Sequence, residues 1–307
     1  MSLALSTSWN AFRCDNGKRL LLEIRELGFE QIELSFNLSG GMLEDIERGL
    51  KETGLRVISV HNFCPAPDEI KRELALPDCY SLAAPDHAER SLALKYSKRS
   101  IDTAGRFAAR AVVLHCGRVD CPDKTRALID LFNQGRKDGE IYKGIKNSAI
   151  EERARLIKPY LESSLASLEE LARYAGRKGV LLGIETRFYY REIPSLEEVG
   201  IILGKFKGSN IFYWHDTGHA QLMENLGFNL HREYLERYGE NMLGAHLHDI
   251  TGCTDHQAPG SGEYDFRRLL PYLKKETLRV VEAHHPATAE EIRKGKTLLE
   301  GIFYGGI

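Results

Sequence analysis

No apolar run in the sequence approaches the roughly 18 residues that cross a bilayer, so no membrane span is expected. The opening segment Met1–Asn10 lacks the basic-then-apolar pattern of a secretory signal, and the expectation is a cytoplasmic protein. Cysteine is sparse and unpatterned. The six cysteines, at positions 14, 64, 79, 116, 121 and 253, form no C-x-x-C pair and no zinc-ribbon spacing, so they read as free thiols. Positive charge is not in excess: Lys plus Arg number 42 against 44 Asp plus Glu, for a formal net charge of −2. That balance argues against a generally basic nucleic-acid surface. No glycine-rich turn follows the first strand candidate, since Ser8–Asp15 contains no glycine, which argues against a dinucleotide-binding open sheet. No linker, repeat or low-complexity tract divides the 307 residues, so one domain over 1–307 is expected.

What the sequence does have is alternation. Short β-branched runs (Leu3–Ser8, Gln31–Ser35, Arg56–His61, Ala111–His115, Val180–Glu185, Ile211–Asp216, Met242–His246 and Leu278–Glu282) are separated by longer amphipathic stretches. The helical patterns fall at Lys18–Leu27, Leu43–Thr53, Ala88–Ala109, Ile150–Lys178, Leu196–Phe206, His219–Tyr238, Phe266–Leu273 and Ala289–Glu300. Glycines 28, 54 and 179 stand where helices end before the next strand. Eight strand–helix units predict a parallel (β/α)8 TIM barrel, the number at which such a sheet closes. Two connections are long, Asn62–Asp86 with four prolines and the charged Gly117–Ala149 with a short helix near Lys124–Phe132. Both follow strands, so both belong to the C-terminal face of the barrel, where active sites lie.

The polar residues at the strand ends are the strongest signal. Six consecutive strands end in His61, His115, Glu185, Asp216, His246 and Glu282. In a closed barrel these ends converge on one opening. Strand parity agrees: Leu182 and Ile184 face the helices, turning Glu185 and Arg187 inward, and the same alternation turns His246 and His248 inward. Uncompensated carboxylates packed so closely repel one another and take up protons, which a bound divalent cation prevents. Two Glu, one Asp and one His suit Mn, Co, Mg or Zn, and the alternative is a hydrogen-bonded polar plug in the barrel mouth. Arg187 reads either as a contact to a substrate carboxylate or phosphate or as an ion pair to a ligand carboxylate. Trp9, at the end of the first strand, is a candidate pocket floor.

The segments Ser59-Val60-His61, Val113-Leu114-His115-Cys116-Gly117, Gly183-Ile184-Glu185-Thr186-Arg187, Asp216-Thr217-Gly218-His219-Ala220, His246-Leu247-His248-Asp249 and Val280-Val281-Glu282, in this order, resemble the xylose isomerase-like barrels. That family includes sugar isomerases and epimerases and, as a distant relative, endonuclease IV. The resemblance covers essentially the whole chain. It implies that Glu185, Asp216, His246 and Glu282 are metal ligands and that His219 is a substrate contact or second-metal ligand. The family pattern of a His followed three residues later by an acid favours His246 over His248. His215, of opposite parity, reads as structural. Asp255-His256 before Pro259-Gly260 resembles the loop that supplies extra zinc ligands in endonuclease IV, with the acid displaced by one residue from Thr254.

The expected activity is isomerisation or epimerisation of a sugar or sugar phosphate. Glu185 and Glu282 would move a carbon-bound proton through an enediolate that the ion stabilises. His61, His115, Arg187, His219 and His256 would bind substrate or a second metal. Two other readings stand beside it. One is a multinuclear zinc phosphodiester hydrolase acting on abasic DNA; the other is a barrel that only binds a metabolite. A homo-oligomer is compatible with any of them.

Overall fold

The computed structural model describes residues 2–305. Eight parallel strands form a closed barrel: β1 (Ala4–Ser6), β2 (Gln31–Leu34), β3 (Arg56–His61), β4 (Ala111–Leu114), β5 (Leu181–Glu185), β6 (Ile211–Asp216), β7 (Met242–Leu247) and, after a hairpin, β10 (Leu278–Val281). Closure is made by β1, which pairs with β2 on one side and β10 on the other. The hairpin strands β8 (Asp249–Thr251) and β9 (Thr254–Gln257) stand outside the barrel as an antiparallel pair on its C-terminal rim. Around the barrel run α1 (Ser8–Ala11), α2 (Gly17–Glu26), α3 (Gly40–Thr53), α4 (His87–Arg106), α5 (Thr125–Asn133), α6 (Glu140–Gly176), α7 (Leu196–Lys205), α8 (Thr217–Asn225), α9 (His231–Tyr238) and α10 (Ala289–Tyr304).

Strand alternation divides the apolar residues into two cores. Ala4, Ala111, Val113, Trp214, Leu243 and Val280 fill the barrel interior. Their neighbours Leu5, Val112, Leu114, Leu182, Ile184, Leu247 and Val281 face the helices. Trp214 is the largest side chain inside, and it fits because Gly183 and Gly244 on the flanking strands have no Cβ; one built there would collide with the indole ring. The interior is therefore plugged below, and the strand-end polar residues stand on a solid apolar floor.

The expected strands agree with the observed ones to within two residues at each end, and four of the eight expected helical stretches to within three. The last, Ala289–Glu300, runs on to Tyr304, and three others differ more. The helix expected from Ile150 begins at Glu140, because buried Tyr142 anchors the weak segment around Gly144 by donating to the Leu226 carbonyl (2.9 Å). The stretch His219–Tyr238 is two helices, broken where Gly227 takes a left-handed φ of 74°. Phe266–Tyr272, with Pro271 inside it, is a 3-10 segment rather than an α-helix. The β8–β9 hairpin was not expected: Thr254-Asp255-His256-Gln257 shows no apolar alternation.

Candidate active site

Glu185 ends β5, Asp216 ends β6, His246 lies near the end of β7, and Glu282 follows β10, so the barrel brings four side chains from four strands to one point. Each is at most 3% exposed. One ligand-capable atom from each lies within 4.8 Å of the other three. The Nδ1 of His246 faces the cluster: it contacts Glu185 Oε1 and lies 2.9 Å from Glu282 Oε2 and 3.8 Å from Asp216 Oδ2. Three buried carboxylates around one imidazole need positive charge. Burial lowers the pKa of His246, but Glu282, Glu33 and Glu185 together raise it well above the usual value. Burial raises Glu185 and Glu282, yet His246 and its neighbours hold both well below the usual carboxylate range. The donor set fits a divalent cation taking over the compensation that the imidazolium supplies.

The side chain that aims His246 is Glu33 on β2, which the strand-end reading missed. It is fully buried, and its two oxygens lie 3.1 and 3.2 Å from His246 Nε2. With Nε2–H donating to Glu33, the lone pair of Nδ1 points at the cluster, the arrangement in which a carboxylate orients a metal-binding histidine. Ser59 Oγ donates to Glu33 Oε2 (2.8 Å) and holds it in place. The one clue in sequence was an acid at an inward position of the Gln31-Ile32-Glu33-Leu34 alternation.

Asp216 is held as firmly. Its Oδ1 accepts the His219 backbone N–H (2.7 Å), so it caps α8 as well as facing the cluster. His248 Nε2 lies 2.9 Å from the same oxygen, and His248 Nδ1 accepts the His256 backbone N–H (2.9 Å). With Nδ1 accepting, the ring proton sits on Nε2 and donates to Asp216. His248 thus orients a carboxylate. Gly218 makes this possible, because a Cβ there would collide with the His248 ring. Burial raises Asp216, but His219 and His248 bring its carboxyl down to about 2.

His61, His115 and Glu185 form an adjoining group. His61 Nδ1 donates to the Asn62 carbonyl (2.9 Å), leaving Nε2 3.7 Å from Glu185 Oε2. His115 bridges Glu185 (2.7 Å) and Asp78 (3.0 Å). Burial and Arg187 lower its pKa, but those two carboxylates raise it to about 9. Arg187 is engaged in ion pairs through both terminal nitrogens: Nη1 to Glu185 (2.9 Å) and Nη2 to Glu192 (3.2 Å) and Asp78 (3.4 Å). Of the two roles expected for it, the geometry matches the ion pair. Asp78 and Glu192 lie in loops where no periodicity singled them out.

His219 and His256 face the cavity from α8 and β9. His219 Nδ1 donates to the Thr186 carbonyl (3.0 Å), and its Nε2 lies 3.7 Å from Asp255. His256 stacks between His248 and His284, with ring centroids 4.1 and 4.0 Å apart. Burial lowers His256, but Asp255 beside it lifts the ring to about 9. Trp9 corrects the expectation of a pocket floor. β1 ends at Ser6 and the chain turns at once into α1, which carries the indole into the outer core; there Nε1 donates to the Ala287 carbonyl (2.9 Å). The tryptophan that packs against the cluster is Trp214 in the barrel interior, its ring 5.2 Å from that of His246. His215 is structural, as its parity implied. It faces the helices in a chain running from Thr186 Oγ1 to Tyr213 Oη (2.7 Å), His215 Nδ1 (2.8 Å) and, through His215 Nε2, His231 Nε2 (3.0 Å).

These groups open into a cavity of about 360 Å³. Its base carries His61, His115, Glu185, His219, His256 and Glu282, and its rim is Phe36, Leu76, Pro77, Phe188 and Tyr189. All six cysteines are free, and none lines it. Among the described residues no helix is long and apolar enough to cross a membrane.

Residues 21–300 match the family described as the xylose isomerase-like TIM barrel. An uncharacterized protein of Sinorhizobium fredii, y4fM, is 24% identical over 266 residues, 82% of this chain and 75% of that one. A D-tagatose 3-epimerase-like protein superposes with a TM-score of 0.68 at 18% identity, over 98% of this chain and 97% of its own. The 3-keto-D-glucoside 4-epimerase YcjR of E. coli superposes with a TM-score of 0.67 at 16% identity, over 98% and 99%. At these identities the structural likeness establishes the fold.

Proposed function

The chain belongs to the xylose isomerase-like TIM barrel family, and on that premise we propose that it is a divalent-metal-dependent sugar isomerase or epimerase. The observation that carries the reading is the buried quartet of Glu185, Asp216, His246 and Glu282, with His246 aimed into it by Glu33. The structural relatives named for epimerisation at C3 and C4 of sugars support the same class. A cation in the quartet (Mn, Zn, Co or Mg) would stabilise negative charge developing beside the reacting carbon. The protein's own groups do the rest. Glu185 Oε2 is already committed to His115 and Arg187, whereas the contacts of Glu282 run to His246 and, at 4.0 Å, to His256. Glu282 is therefore the freer carboxylate to take a carbon-bound proton, and Glu185 anchors the cluster and serves the opposite side. His219 and the protonated His256 are placed to hold substrate oxygens.

A second reading has its own observation. His61, His115 and Glu185 form a three-residue group, and Asp216, His219, His248 and His256 form another, as a multinuclear zinc hydrolase of abasic DNA would require. Against it, His248 has both ring nitrogens committed, and five carboxylates line the cavity where a phosphodiester would have to sit. The test is to count metal in protein purified without chelator and to incubate the loaded protein with a panel of ketoses in D₂O. One ion per chain and deuterium entering beside the carbonyl are expected. Three zincs per chain with cleavage of abasic duplex would overturn the proposal.

A further inference from the structure

Granted the sugar-transforming role above, we propose that the substrate is uncharged and carries a ring or apolar group at the end away from the reacting carbons, as a glycoside does, and that sugar phosphates are rejected. Charge gives the first argument. Two arginines line the cavity. Arg187 is consumed by Glu185, Glu192 and Asp78. Arg126, exposed at the rim, sits over Tyr189, donates to its hydroxyl (3.0 Å) and pairs with Asp123 (3.3 Å). His115 and His256 are paired as well, the first with Glu185 and Asp78 and the second with Asp255 (2.7 Å), so a phosphate would find each cation on the cavity already matched by a carboxylate.

The usual phosphate seat of a barrel, the loops after its seventh and eighth strands with a helix N-terminus, is closed as well. After β7 comes the β8–β9 hairpin, which presents Asp255. After β10 comes α10, whose capping box of Thr288 and Glu291 takes up the N–H groups of those two residues and whose first turn carries the carboxylates of Glu290 and Glu291. The N-terminus of α8, which opens toward the cluster, is capped by the Asp216 carboxylate.

The unpaired polar atoms and the rim give the second argument. Arg187 and His284 line the cavity, and Arg187 Nε and His284 Nε2 are buried without a hydrogen-bond partner. The first is a donor, and the imidazole nitrogen can be either. Hydroxyl groups, which both donate and accept, complement such a set, and a buried orphan costs enough to make that pairing specific. His284, which the sequence gave no reason to assign, becomes a specificity residue on this argument. Above these atoms stand the half-buried rings of Phe36 and Phe188 and the exposed Leu76, an apolar collar with no role in proton transfer. Aromatic faces at that height suit a second ring.

The experiment is calorimetric titration of the full-length protein, metal-free and Mn²⁺-loaded, with D-fructose, D-fructose 6-phosphate and phenyl β-D-glucopyranoside. Phenyl glucoside should bind about tenfold more tightly than fructose, from burial of the added ring, and fructose 6-phosphate more weakly than fructose. Phe188→Ala should reduce the advantage of phenyl glucoside to within about twofold without weakening fructose. The double variant Asp78→Asn, Glu192→Gln, which frees the guanidinium of Arg187, should strengthen fructose 6-phosphate at least about fivefold. Wild-type affinity for fructose 6-phosphate equal to or above that for phenyl glucoside overturns the proposal, as does failure of all three probes to bind. Binding is read without turnover, so the two readings fail separately. Deuterium exchange into ketoses with no preference for phenyl glucoside sinks only the substrate class; the preference without exchange sinks only the reaction.

Discussion

Glu33 contacts the candidate metal cluster only through an imidazole, and that makes it a sharp probe. In Glu33→Gln the amide can still face His246 Nε2, but it no longer fixes which ring nitrogen carries the proton. Metal affinity should fall by roughly 10- to 100-fold in a folded protein, measurable by calorimetry with Mn²⁺. Asp216→Asn, which removes a ligand's charge, and His246→Ala, which removes a ligand outright, should leave no stoichiometric metal; retention in both would refute the ligand assignment. The two glutamates should behave differently. With its second oxygen held by Arg187 and His115, Glu185→Gln should chiefly weaken metal binding. Glu282→Gln should bind metal but lose turnover and solvent exchange by a factor of about 10² to 10⁴, the usual toll of removing a general base. Near-wild-type exchange in a metal-loaded Glu282→Gln protein would make that glutamate a ligand only.

At the scale of the elements, β6 is tied to α8 and α9 by a hydrogen-bonded chain whose direction can be worked out. The Gln221 amide nitrogen donates to Asn225 (2.9 Å), so its oxygen accepts from His231 Nδ1 (3.2 Å). His231 Nε2 is then the acceptor, His215 Nε2–H donates to it, and Tyr213 and Thr186 follow in the same sense. Both rings are neutral, since burial brings His215 down to about 4 and His231 well below its usual value. Between pH 6.5 and 4 the unfolded chain therefore binds protons that the folded chain refuses, and stability should fall as pH drops through that window. His215 alone accounts for roughly 3 kcal/mol of this. Urea midpoints measured across the window should fall steeply for wild type and less so for His215→Gln; equal slopes would contradict the account. These elements also mark the limits of sequence reading. Strand ends such as His61, Glu185 and Glu282 were legible because side chains alternate strictly and the barrel has one open polar face. Glu33, one position short of its strand's end, looked like ordinary alternation. Asp78, Glu192 and the β8–β9 hairpin depend on loop paths that no period encodes, and Trp9 was misplaced because β1 stops earlier than its apolar run.

For the molecule as a whole, the fold was legible and the site partly so, because eight repeated strand–helix units over-determine a barrel while the contacts across its mouth join residues far apart in sequence. Glu33 and His246 stand 213 positions apart. The same long-range closure links metal to global stability. The quartet draws on four separate strands, so an ion bound there holds only in the closed barrel. Saturating Mn²⁺ at about 100 times its Kd should stabilise the fold by about 2.7 kcal/mol. For a chain of this size that is a rise in Tm of roughly 5 °C, reversed by chelator. An unchanged Tm under saturating metal would mean that the ion binds the unfolded chain as well, or does not bind.

The Asp216 carboxylate begins a helix through Oδ1 and faces His246 of the cluster through Oδ2, and the His219 amide proton that it accepts at 2.7 Å is therefore a built-in gauge. An ion drawing charge from the carboxylate loosens its hold on the amide. In nitrogen-labelled protein the His219 amide resonance should move upfield as metal is added, in step with occupancy. It should stay still when metal is added to His246→Ala. The backbone would then report the state of the pocket directly, with no substrate present.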